Sequence, residues 1–282
     1  MLRRQVNFAI NTAFMKNNIV IAGLLIVTGL LSSCGNSTKN NSNYIKVGVV
    51  SGPEYVIAQT AQRIAKEKFG LEVELVQFND YIMPNTALYQ KDIDVNVFQT
   101  RPFLEEQSKQ RGYNFAVIGN TFVYPIAAYS RKIKTLEELK DGSTIVVPND
   151  ATNEGRALLL LEKAGLIKLK PGRGYAPRLI DIEKNSRHFN IIELEAPQLP
   201  RALDDNNVAL AIINNSFAVK AGLFLSNGVY VEDKDSPYVN LIVARAENKD
   251  AEKVRKFVQA YQSDEVAETA EREFKGGAIR GW

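Results

Sequence analysis

Several short stretches of this 282-residue chain gather polar and aromatic side chains at the ends of extended, β-branched runs. They are Asn79-Asp80-Tyr81, Phe98-Gln99-Thr100-Arg101-Pro102-Phe103, Pro148-Asn149-Asp150-Ala151-Thr152-Asn153-Glu154-Gly155-Arg156 and Asn214-Asn215-Ser216-Phe217, with Asn240 opening a further run. In α/β sheets, ligands sit beyond the carboxyl ends of the strands. A helix N-terminus with an arginine beside it suits a carboxylate, and neighbouring aromatics suit an apolar side chain. Taken singly, each position reads equally well as turn chemistry, because Asn, Asp, Gly and Pro are turn formers. Arg156 stands apart: a lone cation entering the apolar run Ala157-Leu158-Leu159-Leu160-Leu161 needs a partner. The chemistry in view is capture of a small molecule.

Reaction chemistry has little to work with. The single histidine, His188, lies in the polar stretch Lys184-Asn185-Ser186-Arg187-His188-Phe189-Asn190 and reads as a surface residue. There is no Cys/His spacing for a metal, no G-x-S-x-G turn and no Walker phosphate loop. No cofactor and no enzyme activity are expected, although chemistry run by carboxylates alone stays open.

The elements that position these stretches alternate. Strands are expected at 45–50, 72–78, 95–98, 144–148, 191–195, 208–213 and 241–244, with one or two more within 115–130. Helices are expected from Pro53 to Gly70, over 103–112 and 154–164, a short one over 199–203, and over 251–262, where Val254, Phe257, Val258 and Tyr261 fall at helical spacing. Ser51 and Glu54 have capping-box spacing. Strand, helix, strand within about 35 residues implies parallel pairing. The series runs twice, which predicts an α/β protein of two lobes, each a mixed sheet flanked by helices, with the ligand in the cleft. The expected division is 45–129 for the first lobe, 130–240 for the second and 241–282 for a return to the first.

The N-terminus indicates the compartment. Arg3, Arg4 and Lys16 are the only charges before residue 34, and Ile19–Leu31 is a 13-residue apolar run. That is short of the ~20 residues that cross a bilayer, so 1–33 reads as a signal peptide. Met15-Lys16-Asn17-Asn18 and the run after it form a complete leader, which makes residues 1–14 a start-site extension. Leu31-Ser32-Ser33-Cys34 resembles a lipobox, and Cys34, the sole cysteine, is the expected lipidation site; residues 34–44 form a polar tether. Without the leader the charges balance at 32 of each sign, and with no basic cluster the chain does not read as a nucleic-acid binder.

At these residues the chain resembles the methionine-binding lipoproteins of ABC importers, the MetQ/NlpA family. The likeness runs through IKVGVVSG, FGLEVELVQFNDYIMPNTAL, DIDVNVFQTRPFLEE, GNTFVYPIAAYSRKIKTLEELKDG, PNDATNEGRALLLLEKAGLIKLK, ELEAPQLPRALDD, EDKDSPYVNLIVAR and GGAIRGW. The resemblance implies a monomeric two-lobed binding protein that delivers L-methionine or a close derivative to a membrane permease and its ATPase. It implies that Arg156 holds the ligand carboxylate, that Asn214 and Asn240 hold its other backbone polar groups, and that Tyr81 and Phe98 flank its side chain. The chain also departs from the family's F-Q-H-x-P-Y: Thr100 stands for a pocket histidine and Phe103 for a tyrosine. Each change removes a hydrogen-bonding group, which leaves open a methionine-containing dipeptide, the sulfoxide, the D-enantiomer, or a surface lipoprotein with an altered site. A periplasmic enzyme on the same fold is the remaining alternative. Importer partnership places the protein on the cytoplasmic membrane, facing the periplasm. Gly35, where an inner-membrane lipoprotein carries aspartate, points instead to the outer membrane.

Overall fold

The first strand, β1 (Tyr44–Val50), carries Ile45, Val47 and Val49 into the core, each at most 1% exposed. A computed structural model describes residues 43–233 and 236–282; the leader, Cys34 and most of the tether lie outside them. Helix α1 (Pro53–Phe69) follows, with Ile57, Ala58, Ala61, Ile64 and Ala65 on its buried stripe. Pro53 fits its first turn, and Gly70, at φ 60°, ends it in the left-handed conformation. The expected capping box does not form. Gly52 occupies the N-cap, Ser51 donates to Asn79 Oδ1 at 2.6 Å, and Glu54 is buried at 3% exposure.

The first lobe continues with β2 (Glu72–Phe78), α2 (Met83–Tyr89), β3 (Val95–Thr100), α3 (Arg101–Arg111) and β4 (Phe115–Val123). The second holds β5 (Ala127–Tyr129), β6 (Thr144–Pro148), α4 (Ala151–Lys163), the ribbon β7 (Lys168–Leu169) and β8 (Ile182–Lys184), β9 (Asn190–Leu194), α5 (Leu199–Ala202), β10 (Val208–Ile213), α6 (Asn215–Lys220) and β11 (Tyr230–Val231). The chain returns through β12 (Val239–Arg245), α7 (Glu252–Tyr261), α8 (Asp264–Phe274) and β13 (Ile279–Arg280).

The strands form two mixed sheets. The six-stranded sheet has the order β13-β4-β12-β3-β1-β2, and the five-stranded sheet β11-β5-β10-β6-β9. β1 pairs in parallel with β2 and β3, and β6 with β9 and β10; β12 runs antiparallel between β3 and β4. β5 pairs antiparallel with β10 and so lies in the second sheet, ahead of the expected crossing at 129/130. The return also comes early, since β12 already begins at Val239. The physical reason is pairing: residues 127–129 find an open edge on β10, which the local sequence does not display.

Each sheet has its own core. In the first lobe α1, α7 and α8 pack on the sheet through Ile57, Ile64, Phe257, Tyr261, Val266 and Phe274. In the second, Leu158 and Leu161 of α4 pack on Ile145, Leu210 and Ile212. A third cluster joins Val50, Phe98 and Phe103 to Tyr129, Val146, Ile213 and Phe217, and ties the two sheets together beside the cleft.

Candidate functional site

A cavity between the lobes, beyond the ends of β3, β6 and β10, is lined by Tyr81, Phe98, Thr100, Phe103, Arg156, Asn214 and Asn240, together with Gln99, Tyr124, Asn153, Asn215 and Ser216. All seven residues nominated from the sequence therefore face one space. The antiparallel register of β12 on β3 sets Asn240 opposite Thr100. Arg101, between Thr100 and Phe103 in sequence, is exposed instead. His188 is exposed as well.

Arg156 comes from the second turn of α4. Asp150 caps that helix by accepting from the Asn153 backbone N–H at 2.9 Å. The arginine's partner is Glu232: Nε donates to Oε1 at 2.9 Å and Nη2 to Oε2 at 2.5 Å. Nη2 also donates to the Tyr124 carbonyl at 3.0 Å, and the Tyr238 ring lies 4.2 Å from the guanidinium carbon. Tyr175, from the loop over α4, packs edge-on against Tyr238. That loop needs Gly155: a Cβ there would lie 2.6 Å from the Tyr175 carbonyl oxygen and 2.7 Å from Ala176 Cα. In an ordinary helix, Gly to Ala gains up to ~1 kcal/mol. Here Gly155→Ala is expected to destabilise by about 1–3 kcal/mol, because backbone must move. Denaturant unfolding measures this; a variant more stable than the parent would show that the loop does not press on α4.

The amides divide into two groups. Asn85, Asn96 and Gln99 form a buried network beneath β3: Asn85 and Gln99 exchange hydrogen bonds at 2.8 and 2.7 Å, and Asn96 donates to Asn85 at 2.9 Å. This network fixes the strand end that carries Phe98 and Thr100. The others face the cavity with capacity to spare. Asn214 Nδ2 donates to Asn153 Oδ1 at 2.8 Å and Asn215 Nδ2 to the Gly277 carbonyl at 2.8 Å, but the Oδ1 atoms of Asn214 and Asn215 are buried without a partner among the described residues. Asn240 is 7% exposed, and its side chain makes no hydrogen bond among the described residues. Buried amides in this condition cost stability unless a ligand satisfies them.

Aromatic rings form the apolar wall. Tyr81 lies 6.0 Å from Phe98, 6.2 Å from Phe103 and 4.9 Å from Phe217, measured between centroids, and Phe98 meets Phe103 edge-on at 5.9 Å. Burial holds the Tyr81 hydroxyl far above its ordinary pKa, with the nearby Glu54 adding to the rise. Beneath it, Ser216 Oγ donates to Glu54 Oε1 at 2.5 Å, while Oε2 has no partner among the described residues. Burial pushes the Glu54 carboxyl up to about 8, and the Ser216 hydrogen bond offsets only part of that. Glu54 is therefore mostly a neutral acid at pH 7.

Sequence reasoning missed Tyr124, Glu54 and Glu232 as parts of this site. Tyr124 lies within a strand-like run, Glu54 has the spacing of a cap, and Glu232 opens the charged stretch Glu232-Asp233-Lys234-Asp235, which carries no motif. The one available signal was the need of Arg156 for a buried anion, which names no position.

Comparison with known proteins places the chain's fold and sequence among solved and curated relatives. The sequence pattern of the NlpA lipoproteins matches residues 45–282. The D-methionine-binding lipoprotein MetQ of Salmonella typhimurium is 58% identical over 271 residues, covering 96% of this chain and all of that one. The crystal structure of the methionine binding protein MetQ superimposes with a TM-score of 0.85 at 60% identity, covering 86% of this chain and 99% of that one. A nutrient binding protein from Burkholderia cenocepacia, solved bound to methionine, gives a TM-score of 0.82 at 46% identity, covering 84% of this chain and all of that one.

Proposed function

The chain belongs to the NlpA lipoprotein family, and on that premise we propose that it is the substrate-binding lipoprotein of an ABC importer, which captures L-methionine or a close derivative and passes it to a permease driven by an ATPase. The observation that carries this reading is the convergence, in one interlobe cavity, of a buried arginine with spare donors, amide oxygens without partners and an aromatic wall. An amino acid complements all three: carboxylate to Arg156, ammonium to the amide oxygens, thioether to the rings of Tyr81, Phe98 and Phe103. The names borne by the relatives support methionine as the ligand. No bond is made or broken in this role; the lobes close on the ligand and open to release it.

Lipid on Cys34 anchors the carrier, and we place it on the cytoplasmic membrane, facing the periplasm, acting as a monomer that docks alone on the permease. Titration of L-methionine by calorimetry into the detergent-solubilised lipoprotein, stripped of ligand by unfolding and refolding, tests the proposal. Submicromolar binding is the expected result and would show that Thr100 serves in place of the family's histidine. No binding at millimolar methionine would overturn the ligand assignment and make Thr100→His the first reversion.

A further inference from the structure

On the reading of Arg156 as the receptor of the ligand carboxylate, on which the role of Glu232 rests, that arginine does not enter the cavity as an uncompensated cation. Glu232 takes its Nε and one Nη2 donor, and the Tyr124 carbonyl takes the other, so that only Nη1 keeps its two N–H groups without a protein acceptor among the described residues. The pair is well enclosed, with side chains 5% and 14% exposed. Arg156 faces the cavity, whereas Glu232 stands behind it and does not. None of the other residues that line the cavity is an acid or a base of the Asp, Glu, Lys, Arg or His type. The unpartnered acceptors among the cavity's lining residues are neutral amide oxygens, those of Asn214 and Asn215.

We propose that Glu232 is a positioning and specificity-determining residue: it fixes the guanidinium so that Nη1 faces the ligand, and it cancels the arginine's charge so that the site accepts a zwitterion of no net charge and turns away anions. In an enclosed site, the field of a carboxylate one side chain away from the ligand is weakly screened, so removing its charge has consequences for every charged ligand. An uncompensated guanidinium attracts an anion more than a zwitterion, whose ammonium it repels, and disfavours a cation most.

The test compares three ligands on the parent and on Glu232→Gln, each as the ligand-stripped lipoprotein in detergent. They are L-methionine, the deaminated anion (methylsulfanyl)butanoate and the decarboxylated cation (methylsulfanyl)propylamine. Both analogues are smaller than methionine, so neither is excluded by size. The expected result is a change of rank. In E232Q the affinity of the anion relative to methionine rises tenfold or more, and that of the cation relative to methionine falls. A merely structural role would weaken all three by the same factor, and an unchanged ratio overturns the proposal even if methionine binds less well. A parent that binds no methionine overturns the ligand reading itself, a result distinguishable from the first. Glu232→Asp keeps the charge and should keep the parent's rank order. If E232Q does not fold, the parent carries the comparison: with the arginine's charge cancelled by Glu232, methionine binds more tightly than either analogue, and a parent that binds the anion more tightly than methionine would overturn the proposal.

Discussion

Arg156→Ala is expected to abolish binding and to weaken the fold at the same time. Two charge-assisted hydrogen bonds from Nη1 to a ligand carboxylate are worth about 1.5–3 kcal/mol each, so their loss lowers affinity by a factor of at least ~100. The same substitution leaves Glu232, with a side chain only 14% exposed, as an unpaired enclosed carboxylate. Breaking such a pair by removing one partner costs about 3–5 kcal/mol. It also uncovers the Tyr124 carbonyl and one face of Tyr238. Denaturant unfolding and calorimetry separate the two effects. In R156Q/E232Q, where no lone charge remains, stability should return toward that of the parent while methionine stays weakly bound. Methionine affinity unchanged in Arg156→Ala would remove the arginine from the ligand site.

Glu54→Gln is expected to abolish a pH dependence of stability that the parent shows between about 4.5 and 8. The carboxyl has an ordinary pKa of 4.5 in the unfolded chain and about 8 when buried in the fold. Because the folded value is raised, the folded state holds the proton more tightly than the unfolded state. The favourable contribution is complete below about pH 4.5, declines as pH rises through the window, and is gone above about 8. The full span corresponds to an effect on the order of 5 kcal/mol. Glutamine keeps the shape, carries no proton to lose and can still bond Ser216. The variant should therefore equal the parent near pH 5 and exceed it near pH 8, as read from denaturant midpoints at the two values. Parallel pH profiles for parent and variant would mean that Glu54 is ionised in the fold and paired by some other means.

Much of the fold was legible in the chain. Runs bounded by turn residues located β2, β6 and β10 to the residue; for β6 and β10 the reason is that a buried parallel strand needs a continuous apolar run and its ends need turns, whereas β2 is an edge strand of mixed polarity. The stripe of Ile57, Ala61 and Ile64 and the stop at Gly70 marked α1. Elements whose stability comes from their neighbours were not legible. Helix α8 is mostly charged and buries Val266, Thr269, Ala270 and Phe274 against α1 and against the core beneath it, with Phe274 stacked on Tyr124. β11 and β13, two residues each, exist only as edge partners of strands far away in the sequence.

The candidate site divides along the same line. Its contents at strand ends were set by the sequence: Tyr81, Phe98, Thr100, Phe103, Arg156, Asn214 and Asn240 fall where an α/β chain must present side chains to a cleft, since the carboxyl ends of parallel strands are the one place where loops converge. The tertiary structure alone decided what governs those groups electrically. It brought Glu232 to Arg156 across 76 residues and Glu54 to Ser216 across 162. Neither carboxylate carries a local mark of its role, because the charge it balances or the burial that protonates it comes from the other end of the fold, and an acid's surroundings cannot be read from its neighbours in the chain.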